Sequence, residues 1–297
     1  MKQPRPSLAR LRALQAVCRT GSFSEAAHRL LLTQPAVSAQ IRQLEEETGV
    51  PLVERVGKSA RATPEGARLI ACADRIFHDL DGTLQELAGM RGEVTGRLLI
   101  GAGGTATTYL LPDILADLER THPKLEIGVL TGNTPDLARR LIDASLDIAV
   151  LTAPIPDERL AEAPFYRDRL VCIAAAGEAV GRPSIRRRDL AGRRLVLFER
   201  GGTIRNAVDG WLKPERGDAP AVLEIGSAEA QKSFVRAGFG WSIISEMSVA
   251  REAAEGLLQV LPLSPPLSRR LVTVWRRDRA TNPAIRAARE TLGRFAA

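Results

Sequence analysis

The stretch Gly21–Ser38, which reads GSFSEAAHRLLLTQPAVS, decides the fold of the first part of the chain. Ser22 followed by Glu25 is a capping-box pattern that starts a helix. Thr33 is a second N-cap, and the Pro35 that follows it needs no hydrogen-bond partner in the first turn of a helix. Two short helices joined by about three residues form a helix-turn-helix. The sequence therefore predicts this motif near the N-terminus.

A further helix precedes this motif and a hairpin follows it. Leucines at helical spacing behind Ser7 predict the first helix. The third helix carries one apolar stripe and ends at Gly49. Two short strands around the turn Gly57-Lys58 then predict a two-stranded hairpin over residues 52–63. The stripe of the third helix consists of Val37, Ile41 and Leu44.

A long amphipathic helix is predicted from residue 64 to about residue 91. It would be about 40 Å long at about 1.5 Å per residue, and its surface is polar apart from one apolar stripe. A second copy of the same helix would cover this stripe, whereas packing against its own domain is the alternative. The predicted dimerisation residues are Leu69, Ala73, Ile76, Leu80, Leu84 and Leu87.

The remainder of the chain alternates between apolar strands and helices, which is typical of an α/β domain. The predicted strands cover residues 98–101, 126–131, 147–151, 169–175, 194–199, 221–225, 240–244 and 271–275. Proline-rich segments at 153–156 and 262–266 indicate that the chain passes twice between two lobes. We therefore predict an all-α helix-turn-helix domain at 1–64, a linker helix at 65–92 and a two-lobed α/β domain at 93–297. Lobe one comprises about 93–161 and 266–297, and lobe two comprises about 162–265.

The composition is that of an ordinary globular protein, but its positive charge is unevenly distributed. The 297 residues carry a formal net charge of +7, and 44% of them are hydrophobic. Residues 1–64 hold ten Lys and Arg against five Asp and Glu, a net charge of +5, which favours a nucleic-acid partner. No apolar run approaches the roughly 18 residues that span a bilayer. We therefore expect a cytoplasmic protein with no membrane partner.

No pattern of residues predicts catalysis, a metal site or a cofactor. Cys18, Cys72 and Cys172 are odd in number and far apart, which indicates neither a disulfide framework nor a zinc site. The three histidines are dispersed, and no catalytic triad or carboxylate pair can be assembled. The segment 101–106, GAGGTA, matches the dinucleotide-binding fingerprint, but the next strand ends without the acidic residue that binds the ribose. A nucleotide-dependent oxidoreductase is therefore a disfavoured alternative.

Taken in order, several motifs resemble the LysR-type transcriptional regulators. The N-terminal match runs from residue 8 to residue 66 and includes GSFSEAA at 21–27 and TQPAVS at 33–38. Residues 96–151 add GRLLIG, YLLP, TGN and LDIA, which resemble the effector-binding domain of that family. The resemblance implies a winged helix-turn-helix, a dimerising linker helix and a two-lobed domain like the periplasmic binding proteins, with an inducer in its cleft.

The third helix is the expected DNA-reading element. Gln34, Ser38 and Arg42 project away from its apolar stripe, and amide and guanidinium groups suit base edges in the major groove. The acidic run at 45–47 would repel phosphates, so the N-terminal half of the helix should face the DNA. The resemblance adds phosphate contacts from the wing. The predicted DNA-binding residues are Ser22, Ser24, Thr33, Gln34, Pro35, Ser38, Arg42, Arg55, Lys58 and Arg61.

Hydroxyl-bearing turns between strands and helices are the expected effector site. Such turns follow strands in both predicted lobes, and the exposed N–H groups of helix N-termini favour an anion. Each of these side chains alone is more often a simple helix cap, but the family resemblance favours Thr105, Thr134 and Thr203. The predicted effector-binding residues are Thr105, Thr107, Asn133, Thr134, Thr203 and Ser227.

Together these inferences predict a non-enzymatic regulator that binds double-stranded promoter DNA as a homodimer or a dimer of dimers. A small, anionic effector in the cleft would change how the two DNA-binding domains of a dimer are placed on DNA. RNA polymerase is a further candidate partner. The alternative is a constitutive DNA-binding or architectural protein without a small-molecule input.

Overall fold

The computed structural model describes residues 6–57, 59–90, 93–178, 181–213 and 222–296. The chain divides into two compact units, Met1–Thr83 and Leu84–Ala297. Within the described ranges, no helix combines the length and the apolar character required to cross a bilayer. The predicted fold class, a helix-turn-helix domain and linker helix followed by a two-lobed α/β domain, is confirmed.

The first unit is built from three helices and a hairpin. Its elements are α1 (Leu8–Thr20), α2 (Phe23–Leu30), α3 (Gln34–Thr48), β1 (Val53–Val56), β2 (Ser59–Ala62) and the start of α4 (Pro64–Gly89). Ser7, Ser22 and Thr33 cap α1, α2 and α3 because each side chain accepts a hydrogen bond from the N–H three residues ahead. The second half of the expected capping box is absent, because the Glu25 carboxylate accepts a hydrogen bond from Arg29 Nε instead, at 3.1 Å.

The stripe of α4 is divided between two environments, which corrects the prediction that all of it faces a second copy. Ala73 is fully buried in the core of the first unit, and Leu69 packs against the same core. The alternative, packing on its own domain, therefore holds for the first turns of the helix. The later residues of the stripe keep exposed side chains: Ile76, Leu80, Leu84 and Leu87.

The second unit is built around a seven-stranded sheet with helices on both faces. Its strands are β3 (Gly96–Ala102), β4 (Leu125–Thr131), β5 (Ile148–Thr152), β6 (Leu160–Ala175), β7 (Ile185–Arg186), β8 (Leu195–Leu197), β9 (Val222–Glu224), β10 (Ser242–Ser245) and β11 (Leu258–Arg276). Its helices are α5 (Gly104–Tyr109), α6 (Leu111–Thr121), α7 (Thr134–Ile142), α8 (Thr203–Leu212), α9 (Ala228–Arg236), α10 (Ala250–Ala254) and α11 (Pro283–Arg294). The sheet has the order β10-β6-β11-β5-β3-β4, with β7 beside β11, and β8 pairs with β9 separately.

Two long antiparallel strands, β6 and β11, run through both lobes and join them. Phe165 and Leu271 belong to the core of lobe one, whereas Leu170 and Leu263 belong to the core of lobe two. The crossings therefore lie near residues 167–169 and 268–270. Both crossings come after the proline-rich segments that the sequence suggested. The first segment lies before β6 begins, and the second interrupts the pairing of β11 only locally, so that the ladder resumes at Leu267.

Candidate functional site

Polar side chains of α3 form one exposed stripe on the side opposite its buried residues. Gln34 and Arg42 are exposed, and Ser38 lies half-buried between them. Residues four positions apart lie on one face of a helix, so these three side chains share that face. Gln34 Nε2 donates a hydrogen bond to Ser38 Oγ at 3.0 Å. This stripe presents amide, hydroxyl and guanidinium groups together, which matches the chemistry of base edges in a major groove.

The other predicted DNA-binding residues are dispersed around this stripe. Thr33 and Pro35 are exposed at the start of α3, Ser24 is exposed on α2, and Ser22 is half-buried by its capping role. Lys58 lies outside the described residues.

The wing arginines lie on opposite faces of the hairpin. Arg55 pairs across the strands with Ala60, which is buried, and Arg61 pairs with Glu54. Because directly paired residues share a face and neighbours along a strand alternate, the structure does not bring Arg55 and Arg61 together.

A carboxylate that the sequence analysis treated only as repulsive has a structural role. Glu45 Oε1 accepts hydrogen bonds from the backbone N–H groups of Leu52 at 2.8 Å and Val53 at 3.2 Å. The end of α3 is thereby fixed to the start of the wing. Glu47 is likewise paired, with Arg10 of α1.

A cleft of about 490 Å³ lies between the two lobes of the second unit. Four strand-to-helix turns line it, two from each lobe, and a smaller cavity of about 40 Å³ continues beneath it. Thr105, Asn133, Thr203 and Ser227 line the larger space, and Thr134 lines the smaller one. The arrangement gathers hydroxyl and amide groups from distant parts of the chain around one space.

Thr107 differs from the other predicted effector residues. It does not line either cavity, and its hydroxyl donates to Ala102 O at 3.4 Å and accepts from Thr131 Oγ1 at 3.3 Å. This side chain is turned toward β3 and β4, which corrects its predicted place in the cleft.

The N-terminus of α8 opens into the cleft without a side-chain cap. Gly202 is its N-cap and provides no hydrogen bond, whereas the Asn133 and Ser227 side chains cap α7 and α9. The first N–H groups of α8 therefore keep hydrogen-bonding capacity toward the cleft, where the helix dipole favours negative charge. Thr203 adds a hydroxyl that donates to Thr152 Oγ1 at 3.3 Å, across the space between the lobes.

A buried arginine on the floor of the cleft was missed by the sequence analysis. Arg269 lines both cavities, and its Nε lies 2.7 Å from Asp168 Oδ2. The exposed fraction of the side chain is 9% for Arg269 and 1% for Asp168. Ser245 Oγ donates to the other carboxylate oxygen at 2.6 Å, and Arg269 also approaches Thr152 Oγ1 at 3.4 Å. A guanidinium group thus faces the cleft while one carboxylate holds it in place.

A polar cluster between the lobes lies beside the cleft, and its Tyr109 and Glu229 line the space. Lys232 of lobe two is buried and lies 2.8 Å from Glu229 Oε1 and 2.7 Å from Glu252 Oε1. Tyr109 of lobe one contacts Glu229 and lies 3.2 Å from Lys232 Nζ. Burial is the largest single influence on the pKa of Glu252 and would raise it, but the hydrogen bond to Lys232, a backbone hydrogen bond and the charges of Lys232 and Arg251 together lower the pKa. This cluster therefore links the lobes through charged groups.

A second buried cation supports the turn that precedes α8. Arg205 donates to Phe198 O at 2.6 Å and lies 2.8 Å from Asp209 Oδ1 and 3.2 Å from Glu224 Oε1. Burial works to lower the pKa of Arg205, but the two carboxylates outweigh it and raise the pKa. Because its charge is satisfied by these partners, Arg205 shapes the wall of the cleft.

Comparison with known proteins identifies the family. The model for the bacterial regulatory helix-turn-helix protein, lysR family, matches residues 8–67, and that for the LysR substrate binding domain matches residues 91–297. The chain belongs to the LysR family. It is therefore a DNA-binding transcriptional regulator with a domain for a small effector. No group of residues suited to hold a metal ion is found in the described part of this LysR-type regulator.

Three relatives show the extent of this similarity. The HTH-type transcriptional regulator CbbR of Xanthobacter flavus is 32% identical over 300 residues, covering 98% of this chain and 88% of its own. A probable RuBisCO transcriptional regulator of Guillardia theta is 28% identical, covering 94% of this chain and 90% of its own. A solved structure of a full-length OxyR variant from Pseudomonas aeruginosa has a TM-score of 0.75 at 24% identity, covering 99% of this chain and 96% of that one. The LysR fold thus extends over the whole chain.

Proposed function

We propose that the effector of this regulator is a small anion bound between the lobes, and that it changes how a dimer of the protein bends or occupies promoter DNA. The observation that carries the proposal is Arg269, whose buried guanidinium faces both cavities. The uncapped N-terminus of α8 and the hydroxyls of Thr105 and Thr203 support it, because together they offer donors suited to a carboxylate or phosphate.

We propose further that this cleft binds its ligand without chemical change, in the cytoplasm where promoter DNA is found. The name of the Guillardia theta relative, a probable RuBisCO transcriptional regulator, suggests which promoters to test first, namely those of RuBisCO genes. Genomic fragments bound by the protein can be sequenced to test this target. Recovery of the added anion unchanged after prolonged incubation with the protein tests the absence of catalysis.

Removing either cleft hydroxyl is expected to weaken anion binding. Thr105→Val and Thr203→Val keep the side-chain volume but remove one hydrogen-bonding group each, at about 1 to 3 kcal/mol or roughly fivefold to a hundredfold in Kd. Calorimetry on the full chain with inorganic phosphate and a panel of small carboxylates and phosphate esters measures this. Thr107→Val is the matched control, because its hydroxyl faces β3 and β4. Wild-type affinity in both cleft variants would exclude these hydroxyls from the site.

Substitutions on α3 and on the wing are expected to affect DNA binding differently. Arg42→Ala and Gln34→Ala should each weaken specific binding by about 1 to 3 kcal/mol, because both side chains are exposed on the stripe that offers base contacts. Lys58→Ala should weaken binding to specific and random duplexes equally, as expected for a phosphate contact. Mobility shifts on both kinds of duplex measure the difference. Unchanged specific binding by Arg42→Ala would contradict the proposed orientation of α3.

A further inference from the structure

Gln85 is the buried polar residue in the last turns of α4. Only 7% of Gln85 is exposed, although its helical neighbours Leu84 and Leu87 are exposed at 55% and 53%. An amide side chain at such a position requires partners for both its donor and its acceptor, because an unpaired buried polar group destabilises the fold.

Both ends of this amide are paired, and the two partners come from different elements. Gln85 Nε2 donates to Arg97 O at the start of β3, at 2.6 Å. Its Oε1 accepts from Asn282 Nδ2 at 3.0 Å. Asn282 is itself fully buried, and its Oδ1 accepts hydrogen bonds from Ala284 N and Ile285 N at the start of α11. We call Gln85, Asn282 and the Arg97 carbonyl the amide clamp.

The backbone around the amide clamp is packed closely on both sides of it. Gly96 has a φ of +90°, and a Cβ built there would lie 2.8 Å from Gln85 Nε2. A Cβ at Gly89 would collide with the ring of Pro283, the first residue of α11. Two glycines therefore permit the close approach of α4 to β3 and to α11. Side-chain hydrogen bonds and backbone packing hold the same end of the helix.

The amide clamp bonds the end of α4 to β3 and to the start of α11, and both of these elements belong to lobe one. Leu98 and Ile100 of β3 and Ile285 and Leu292 of α11 share one buried core. The end of α4 is thus attached to the same lobe whose core these strands and helices form. Lobe two is joined to this lobe through β6 and β11.

We propose that Gln85 is a positioning residue that makes the end of α4 and lobe one a single rigid body. The last turns of α4 then move together with lobe one, and lobe two moves against this body when the cleft opens or closes. The inference rests on the DNA-binding function of the chain. Its mechanical importance follows from its place in the chain: α4 is the helix through which the chain enters lobe one, and the clamp holds the last turns of that helix.

Two isosteric substitutions break the amide clamp from opposite sides. Gln85→Glu removes the donor to Arg97 O and places a carboxylate beside that carbonyl. Asn282→Asp removes the donor to Gln85, while an aspartate still caps α11 as well as an asparagine does. Glu86→Gln, at the next position of α4, is the control because Glu86 is partly exposed. If one clamp variant fails to fold, the other tests the same contact.

The test uses the full-length chain without any effector. A duplex is selected from a random pool by the wild-type protein, and its bend angle is measured in complex with each variant by fluorescence energy transfer. We expect both clamp variants to shift or broaden the bend-angle distribution while changing the Kd for DNA by less than about threefold, and the control to match the wild type. A purely structural role of Gln85 would lower the melting temperature and leave the bend angle unchanged.

Wild-type bending by both clamp variants would overturn the inference and leave the DNA-binding function intact. Failure of the wild-type protein to retain any duplex would overturn the DNA-binding function, and the inference with it.

Discussion

Leu80→Glu is expected to abolish dimerisation and, with it, high-affinity binding to promoter DNA. Leu80 is central in the exposed part of the α4 stripe, with 39% of the residue accessible in the single chain. In a dimer formed through this stripe the introduced carboxylate would be buried without a partner, at a cost of several kcal/mol. We expect the dimer dissociation constant to rise by at least about a hundredfold. Half-sites separated by about 34 Å would then no longer be read together.

Sedimentation velocity and mobility shifts measure both parts of this prediction. Arg75→Glu is the matched control because it introduces the same side chain at an exposed position about 140° around the helix from Leu80, at about 100° per residue. An intact dimer in Leu80→Glu, with unchanged affinity for DNA, would show that the exposed stripe is covered by something other than a second α4.

Arg269→Met is expected to cause the largest loss of stability among single changes in the cleft. It leaves the Asp168 carboxylate buried without its cation, and breaking a buried ion pair in this way costs about 3 to 5 kcal/mol. Anion binding should be lost in the same variant, because the guanidinium that faces the cleft is gone. Urea denaturation measures the free energy of unfolding, and calorimetry measures the affinity for the anion.

The double variant Arg269→Met, Asp168→Asn separates these two effects. The neutral amide removes the unpaired charge and still offers an oxygen to the Ser245 hydroxyl, so most of the stability should return. Anion binding should remain absent. Recovery of anion binding together with stability would show that Arg269 only supports the fold.

Features set by neighbouring residues could be predicted from the sequence, and the N-terminal domain has many of them. Ser22 and Thr33 cap helices three residues ahead, and the Val37 and Ile41 stripe is buried as expected. A capping hydrogen bond or a helical stripe depends on residues within a few positions of each other. The partner of Ala73 could not be predicted in this way, because periodicity identifies an apolar stripe but not the surface that covers it. Ala73 is buried in the core of its own unit.

Features that depend on distant pairing were beyond the sequence analysis. Arg269 and Asp168 are 101 residues apart and meet only because of the register between β11 and β6. Gln85 and Asn282 are 197 residues apart, and nothing near either residue indicates the other. The direction of the Thr107 hydroxyl depends on the side-chain rotamer, which the position of Thr107 in the motif does not determine. Long-range register and side-chain orientation therefore account for what was missed.

The ladder between β6 and β11 is unbroken from Leu267 to Leu271, between its two register shifts, and it limits the kind of motion available to the lobes. A connection made of two hydrogen-bonded strands twists easily. It resists wide opening of the lobes, because separating the strands strains the hydrogen bonds of the ladder. Ligand binding should therefore produce a small torsion of the lobes instead of a large swing. The ligand shifts the balance between the two torsional states by the difference in its affinity for them, so a ligand that binds both states equally changes nothing.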